Sequence, residues 1–135
     1  MKKIIAFCLL TASLICIPWV AKAADPVKVE VLYMAHGPLR DTLDGLKKVF
    51  SQYDGNVAVS WYDFDSREGE AFMVKKNIKQ HVPLVIWMNN QSTFKVDGKD
   101  ILFSGFPTGA GPASFQGKWT NTDVQKVLDQ LTHGK

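Results

Sequence analysis

The chain has 135 residues, 46% hydrophobic and 21% charged, with two cysteines and a formal charge of +3. That size bounds it to one domain around a single core. Its basic excess sits in the first residues: without Lys2, Lys3 and Lys22 the acidic and basic side chains balance, so the sequence pI of about 8.9 argues for neither a nucleic-acid partner nor an anionic membrane surface.

Met1-Lys2-Lys3 is a positive start, and Ile4 to Val20 is an apolar run broken only by Thr11, Ser13 and Pro18. Ala21-Lys22-Ala23 gives the small-x-small pattern that signal peptidases cut. The pattern predicts a signal peptide over 1–23, cleaved near Ala23, and a single domain over 24–135. The rival reading is a retained membrane anchor, against which stand a run of only about 17 residues, at the lower limit for crossing a bilayer, and a cut site directly after it. After cleavage no membrane association is expected. The leader looks bacterial, and the expected destination is the periplasm. Cys8 and Cys16 both leave with it, and Ile15 before Cys16 is too bulky for lipid attachment.

Val27 to Met34 reads as a strand, with Val27, Val29, Val31 and Tyr33 on one face. Gly37-Pro38 breaks it, and Pro38 suits the first turn of a helix. Leu39, Leu43, Leu46 and Phe50 recur at helical spacing until Asp54-Gly55-Asn56. Val57 to Tyr62 is a second strand. Asp65 or Ser66 can cap a second helix over about 67–80, with Ala71, Val74 and Ile78 as its apolar side and Phe72 and Met73 flanking. Pro83 opens the most apolar strand, Leu84 to Met88. Thr93 to Val96 and Ile101 to Ser104 form a hairpin around Asp97-Gly98. A glycine- and proline-rich stretch, Gly105 to Gly117, precedes a last helix from near Thr120, where Thr120 and Asp123 have capping-box spacing. The order predicts an α/β three-layer sandwich with a mixed four-stranded sheet. Two strand–helix–strand crossovers join parallel strands, and a closing hairpin adds an antiparallel edge.

Ala35-His36-Gly37-Pro38-Leu39 resembles the active-site turn of the thioredoxin superfamily, Trp-Cys-Gly-Pro-Cys, with the cysteines replaced by His36 and Leu39. His81-Val82-Pro83-Leu84-Val85 resembles that family's cis-proline loop, and Tyr62-Asp63-Phe64-Asp65 its strand end before the second helix. Glu30 lies six residues before His36, where the family often carries a buried acid. The similarity spans about Val27 to Leu131 and implies a thioredoxin-like fold. It also implies a peptide-binding surface of His36, Val82, Pro83, Gly105 and Phe106, with His36, Pro83 and Phe106 close together. Disulfide exchange needs a thiolate, so thiol–disulfide oxidoreductase activity is not expected.

His36 admits two readings: a metal ligand or proton-transfer group, or a polar residue that took a vacated position. A metal site would need further ligands; His81 is the one candidate partner, with Met34 close in sequence, while His133 in the C-terminal tail reads as solvated. Glu30 on a central strand reads as a buried acid with a raised pKa, which is either a remnant without its usual thiol, an ion-pair partner for Lys28 or a second-helix lysine, or a catalytic group. Asp63 and Asp65 lack the rest of a calcium loop and read as strand end and helix cap. Trp61, Trp87 and Trp119 read as core or core rim. The stretch from Phe106 to Pro112 reads equally as a contact loop or as a connector.

Three functions follow as expectations. The first is a non-catalytic, chaperone-like protein, a monomer, that holds an envelope protein or extended peptide through the surface the resemblance implies. It needs no cofactor, metal or nucleic acid. The second is metal or haem handling through His36. The third, an enzyme using Glu30 and His36 as an acid–base pair, has no nucleophile to support it.

Overall fold

The structure, a computed structural model, describes residues 24–133. The signal peptide read over 1–23, with Cys8, Cys16 and the cut near Ala23, lies outside the described residues. The domain is mixed α/β. Its elements in order are β1 (Val27–Tyr33), a 3-10 turn (Gly37–Leu39), α1 (Arg40–Ser51), β2 (Val57–Asp63), α2 (Arg67–Lys75), β3 (Leu84–Met88), β4 (Thr93–Val96), β5 (Lys99–Leu102), a second 3-10 turn (Ala113–Phe115) and α3 (Asn121–His133). Among the described residues no helix is long and apolar enough to cross a membrane.

β1 is central, in the strand order β2-β1-β3. It runs parallel to β2, pairing Val27 with Val57 and Tyr33 with Asp63. It runs antiparallel to β3, pairing Tyr33 with Leu84 and Val29 with Met88. The expectation of two parallel crossovers is therefore corrected at the second. The helix read over 67–80 ends at Lys75, and Asn77 turns left-handed at φ 55°. The Ile78 N–H donates back to the Met73 carbonyl at 2.9 Å. The chain goes out along nine helical residues and returns over 76–83, so β3 starts at the end where β2 stopped and runs the other way.

The predicted four-stranded sheet is also corrected. Asp97 and Gly98 both take positive φ, 48° and 79°, as the tight hairpin requires. The resulting β4–β5 pair forms a two-stranded sheet of its own. β5 ends at Leu102, because the Ser104 N–H bonds the Leu102 carbonyl at 3.1 Å and curls the chain out of the ladder. The next residues tie the hairpin to β3: the Ile86 N–H bonds the Phe103 carbonyl, and the Gly105 N–H the Leu84 carbonyl.

Alternation along the strands separates two apolar clusters. Val29, Val31, Leu84, Ile86 and Met88 face α1 and α3, meeting Leu46, Phe50, Val124, Val127 and Leu128. Leu32, Val85 and Trp87 face Phe72 of α2. The apolar side read for α2 is corrected: Phe72 is buried while Val74 is 82% exposed and Ala71 is exposed. The Phe72 ring stacks on Tyr62 at 3.9 Å and meets Trp87 edge-on at 5.4 Å, and those contacts set the rotation of this short helix. Trp87 and Trp119 are buried and Trp61 packs at the core rim. Ser66 caps α2 by accepting the Gly69 N–H at 2.9 Å. Thr120 and Asp123 form the reciprocal cap of α3.

Candidate functional site

At the end of β1, the Met34 N–H donates to the Pro83 carbonyl at 3.0 Å, joining the start of β3 to the turn that precedes α1. The His36 N–H bonds back to the Met34 carbonyl at 2.8 Å, and the Leu39 N–H to the His36 carbonyl at 3.0 Å. These bonds fold Ala35 to Leu39 tightly. They leave His36, Gly37 and Pro38 exposed and send Leu39 into the core. At the end of β2 the Asp63 carboxylate accepts the Asp65 N–H at 3.0 Å, and the Phe64 N–H bonds the Tyr33 carbonyl at 2.7 Å. The Phe64 ring then meets His81 edge-on at 4.7 Å, which holds the imidazole beside the first turn. Asp63 thus serves the strand end, and Ser66 rather than Asp65 supplies the cap.

The stretch from Gly105 to Gly117 is an internally bonded loop. The Phe106 N–H bonds the Phe115 carbonyl at 2.9 Å, the Gly117 N–H the Phe106 carbonyl at 2.7 Å, and the Gln116 side-chain amide the Gly111 carbonyl at 3.2 Å. The Trp119 indole fixes the loop base by donating to the Ser104 carbonyl at 3.2 Å. Gly105 sits at φ +76°, and a β-carbon there would lie 2.4 Å from the Phe115 carbonyl oxygen, so the loop closes only over glycine. Phe106 is drawn inward to 5% exposure while Phe115 stays 51% exposed.

Together these segments line a cleft of about 180 Å³ formed by Met34, His36, Pro38, Leu39, His81, Pro83, Phe106, Pro112 and Phe115. His36, Pro83 and Phe106 are thus brought to one site from positions far apart in the chain. The accessible lining is entirely apolar, so both histidines present ring carbon to it. A broader trough of about 450 Å³ shares His81, Pro83 and Phe115 with the cleft and continues past Val82, Gly105, Leu102 and Lys118. Among the site residues read from the sequence, Val82 and Gly105 line the trough rather than the cleft, and Gly37 lines neither. Pro112 belongs to the Phe106–Pro112 stretch that admitted a contact-loop reading, whereas sequence reasoning missed Phe115 as a wall. The signal available was a second phenylalanine, after Phe106, in a loop otherwise made mostly of glycine, proline and small residues.

Val82 and Pro83 differ from expectation in one respect. Among the described residues no peptide bond is cis, so the bond before Pro83 is trans, the lower-energy isomer. The cis-proline is corrected accordingly. The backbone N–H and C=O of Val82 have no hydrogen-bond partner among the described residues.

Glu30 lines neither the cleft nor the trough. It is 1% exposed, with Lys28 Nζ 2.7 Å from one carboxylate oxygen and Lys76 Nζ 2.7 Å from the other. Burial pushes its carboxyl up, but the hydrogen bonds and charges of the two ammonium groups outweigh that and hold it below its ordinary value. The expected raised pKa is corrected, and the ion-pair reading accounts for both oxygens. Glu30 does not line the cleft that His36 lines, and its carboxylate is engaged by two lysines. Among the described residues no group of three or more His, Cys, Asp or Glu side chains gathers in a metal-holding cluster. His133 ends α3, exposed, and lines neither the cleft nor the trough. The arrangement can take an apolar group in the cleft and offer backbone hydrogen bonds beside it. Comparison with protein families and with curated proteins gives no match.

Proposed function

We propose that this protein is an exported, thioredoxin-like binding protein without thiol chemistry, which holds an extended peptide or protein segment of the cell envelope. The observation that carries this reading is the apolar cleft built jointly by the turn at 34–39, the entry to β3 and the loop from Phe106 to Phe115. At about 180 Å³ it falls below the roughly 300–1,000 Å³ of ordinary small-molecule sites, and suits one apolar side chain. Val82, whose N–H and C=O have no partner among the described residues, lines the adjoining trough, which suits pairing with a bound backbone. Parallel pairing of β1 with β2, the Pro83 entry to β3 and helices on both faces support the thioredoxin-like part of the reading. The second reading, metal or haem handling through His36, has less support, since the cleft is small and the imidazoles turn carbon toward it.

Titration of the purified protein with unfolded exported proteins or extended peptides, followed by backbone amide shifts, tests the proposal. Shifts are expected at His36, Val82 and Phe106. Saturating amounts of such chains with no shift at these three would overturn it, as would turnover of a disulfide substrate by the chain without its leader.

A further inference from the structure

The charge pattern of the trough narrows what the cleft accepts, an inference that rests on the peptide-binding reading above. The trough is continuous with the cleft through His81, Pro83 and Phe115, so a segment anchored in one runs into the other. Its titratable side chains are His81, Asp100 and Lys118. Asp100 stands 4.0 Å from Lys95 across the β4–β5 pair, which partly neutralises it. Lys118 is exposed and has no ion-pair partner among the described residues. It follows Gly117, whose N–H is bonded to Phe106, so its backbone is fixed on the loop that walls the cleft. The remaining polar lining, Ser104, Ser114 and Gln116, is uncharged.

We infer that the partner segment carries an apolar side chain for the cleft and, within a few residues of it, an acidic side chain that pairs with Lys118. Apolar burial supplies the affinity, because the cleft offers no polar atom. The lysine supplies discrimination, because a cationic residue at the same place would meet an unpaired ammonium. The contact is at the rim, so its effect is modest and screened by salt.

The test uses fluorescently labelled extended peptides in a glycine–serine frame with one leucine or phenylalanine. Glutamate, glutamine or lysine is placed at each position up to four residues on either side. Anisotropy titration at low ionic strength is expected to rank glutamate tightest and lysine weakest at the matching position, with about two- to five-fold per step. Lys118→Glu is expected to invert that ranking while an all-apolar control peptide keeps its affinity. Binding of the apolar peptides with no charge ranking, or a ranking untouched by Lys118→Glu, would overturn the inference and leave the peptide-binding reading standing. Failure of every peptide to bind, with or without binding to anionic lipid vesicles, would overturn both.

Discussion

Lys76 Nζ lies 2.7 Å from Glu30 Oε2, across 46 positions of sequence, with both side chains nearly closed to solvent. The ammonium also sits 5.3 Å from the centre of the Phe72 ring and 5.0 Å from that of Trp87. One lysine at the end of α2 thus pins that helix to the central strand by charge and by contact with two aromatic faces.

Removing one member of this pair leaves the other buried and uncompensated. Glu30→Gln is expected to lower stability by about 3 kcal/mol. Replacing both, Glu30→Leu with Lys76→Met, is expected to recover most of that loss, since apolar side chains of similar volume avoid the desolvation of two charges. Urea unfolding of the wild type, the single and the double variant measures it. A double variant no more stable than the single one would show that the pair itself, and not the orphaned charge, carries the stability.

The same carboxylate sets an acid limit. Its pKa in the folded state lies below the ordinary 4.5, so its stabilisation is complete above that value and is lost as pH falls through the lower folded value. The urea midpoint is expected to drop as pH falls below 4.5. Glu30→Gln is expected to flatten part of that drop. Identical acid slopes in both proteins would assign the effect to other groups.

At the alkaline end the corresponding group is Tyr53, just after α1. Its hydroxyl donates to the Asp129 carboxylate at 2.7 Å, with the Gln125 carbonyl 3.1 Å away, tying α1 to α3. Burial, then the hydrogen bond and negative charge of Asp129, push the phenol up to about 12. Its contribution is therefore complete below pH 10 and fades as pH rises toward about 12. Tyr53→Phe is expected to cost about 1 kcal/mol at neutral pH and to remove this alkaline loss. Thermal unfolding across that range measures both.

Gly111 and Phe106 are set against each other in the cleft wall. Gly111 lies at φ +64°, and a β-carbon there would fall 2.4 Å from the Phe106 ring. Gly111→Ala is expected to displace that ring, cost about 1–2 kcal/mol and weaken peptide binding. Gly109→Ala, at φ +84° with open space around it, carries the backbone strain without touching Phe106. Amide shifts confined to the substituted turn in Gly109→Ala, but reaching Phe106 in Gly111→Ala, separate the two effects.

Much of the fold was legible in local patterns. The hairpin turn at Asp97-Gly98 and the Thr120–Asp123 box are choices made within a few residues, and the structure places each where the sequence puts it, while of the two cap candidates Asp65 and Ser66 it selects Ser66. The face of α2 was not legible. Val74 and Ala71 fit an apolar stripe as well as Phe72 does, and stacking against Tyr62, ten residues upstream and in another element, decided between them. The site was legible in outline, since His36, Pro83 and Phe106 do meet, but its composition was not. Pro112 and Phe115 become walls only when the loop closes on itself through backbone bonds that have no sequence signature.

The sequence by itself determined the kind and order of the elements, because hydrophobic period, caps and turn residues act over short stretches of chain. It also determined that no cysteine stands at the turn before α1. Only the tertiary structure decided the direction of β3, the charge state of Glu30 and the walls of the cleft. Each of these depends on which distant groups share a low-dielectric, close-packed space, and neither burial nor the field of a neighbouring ammonium is a property of residues taken in order.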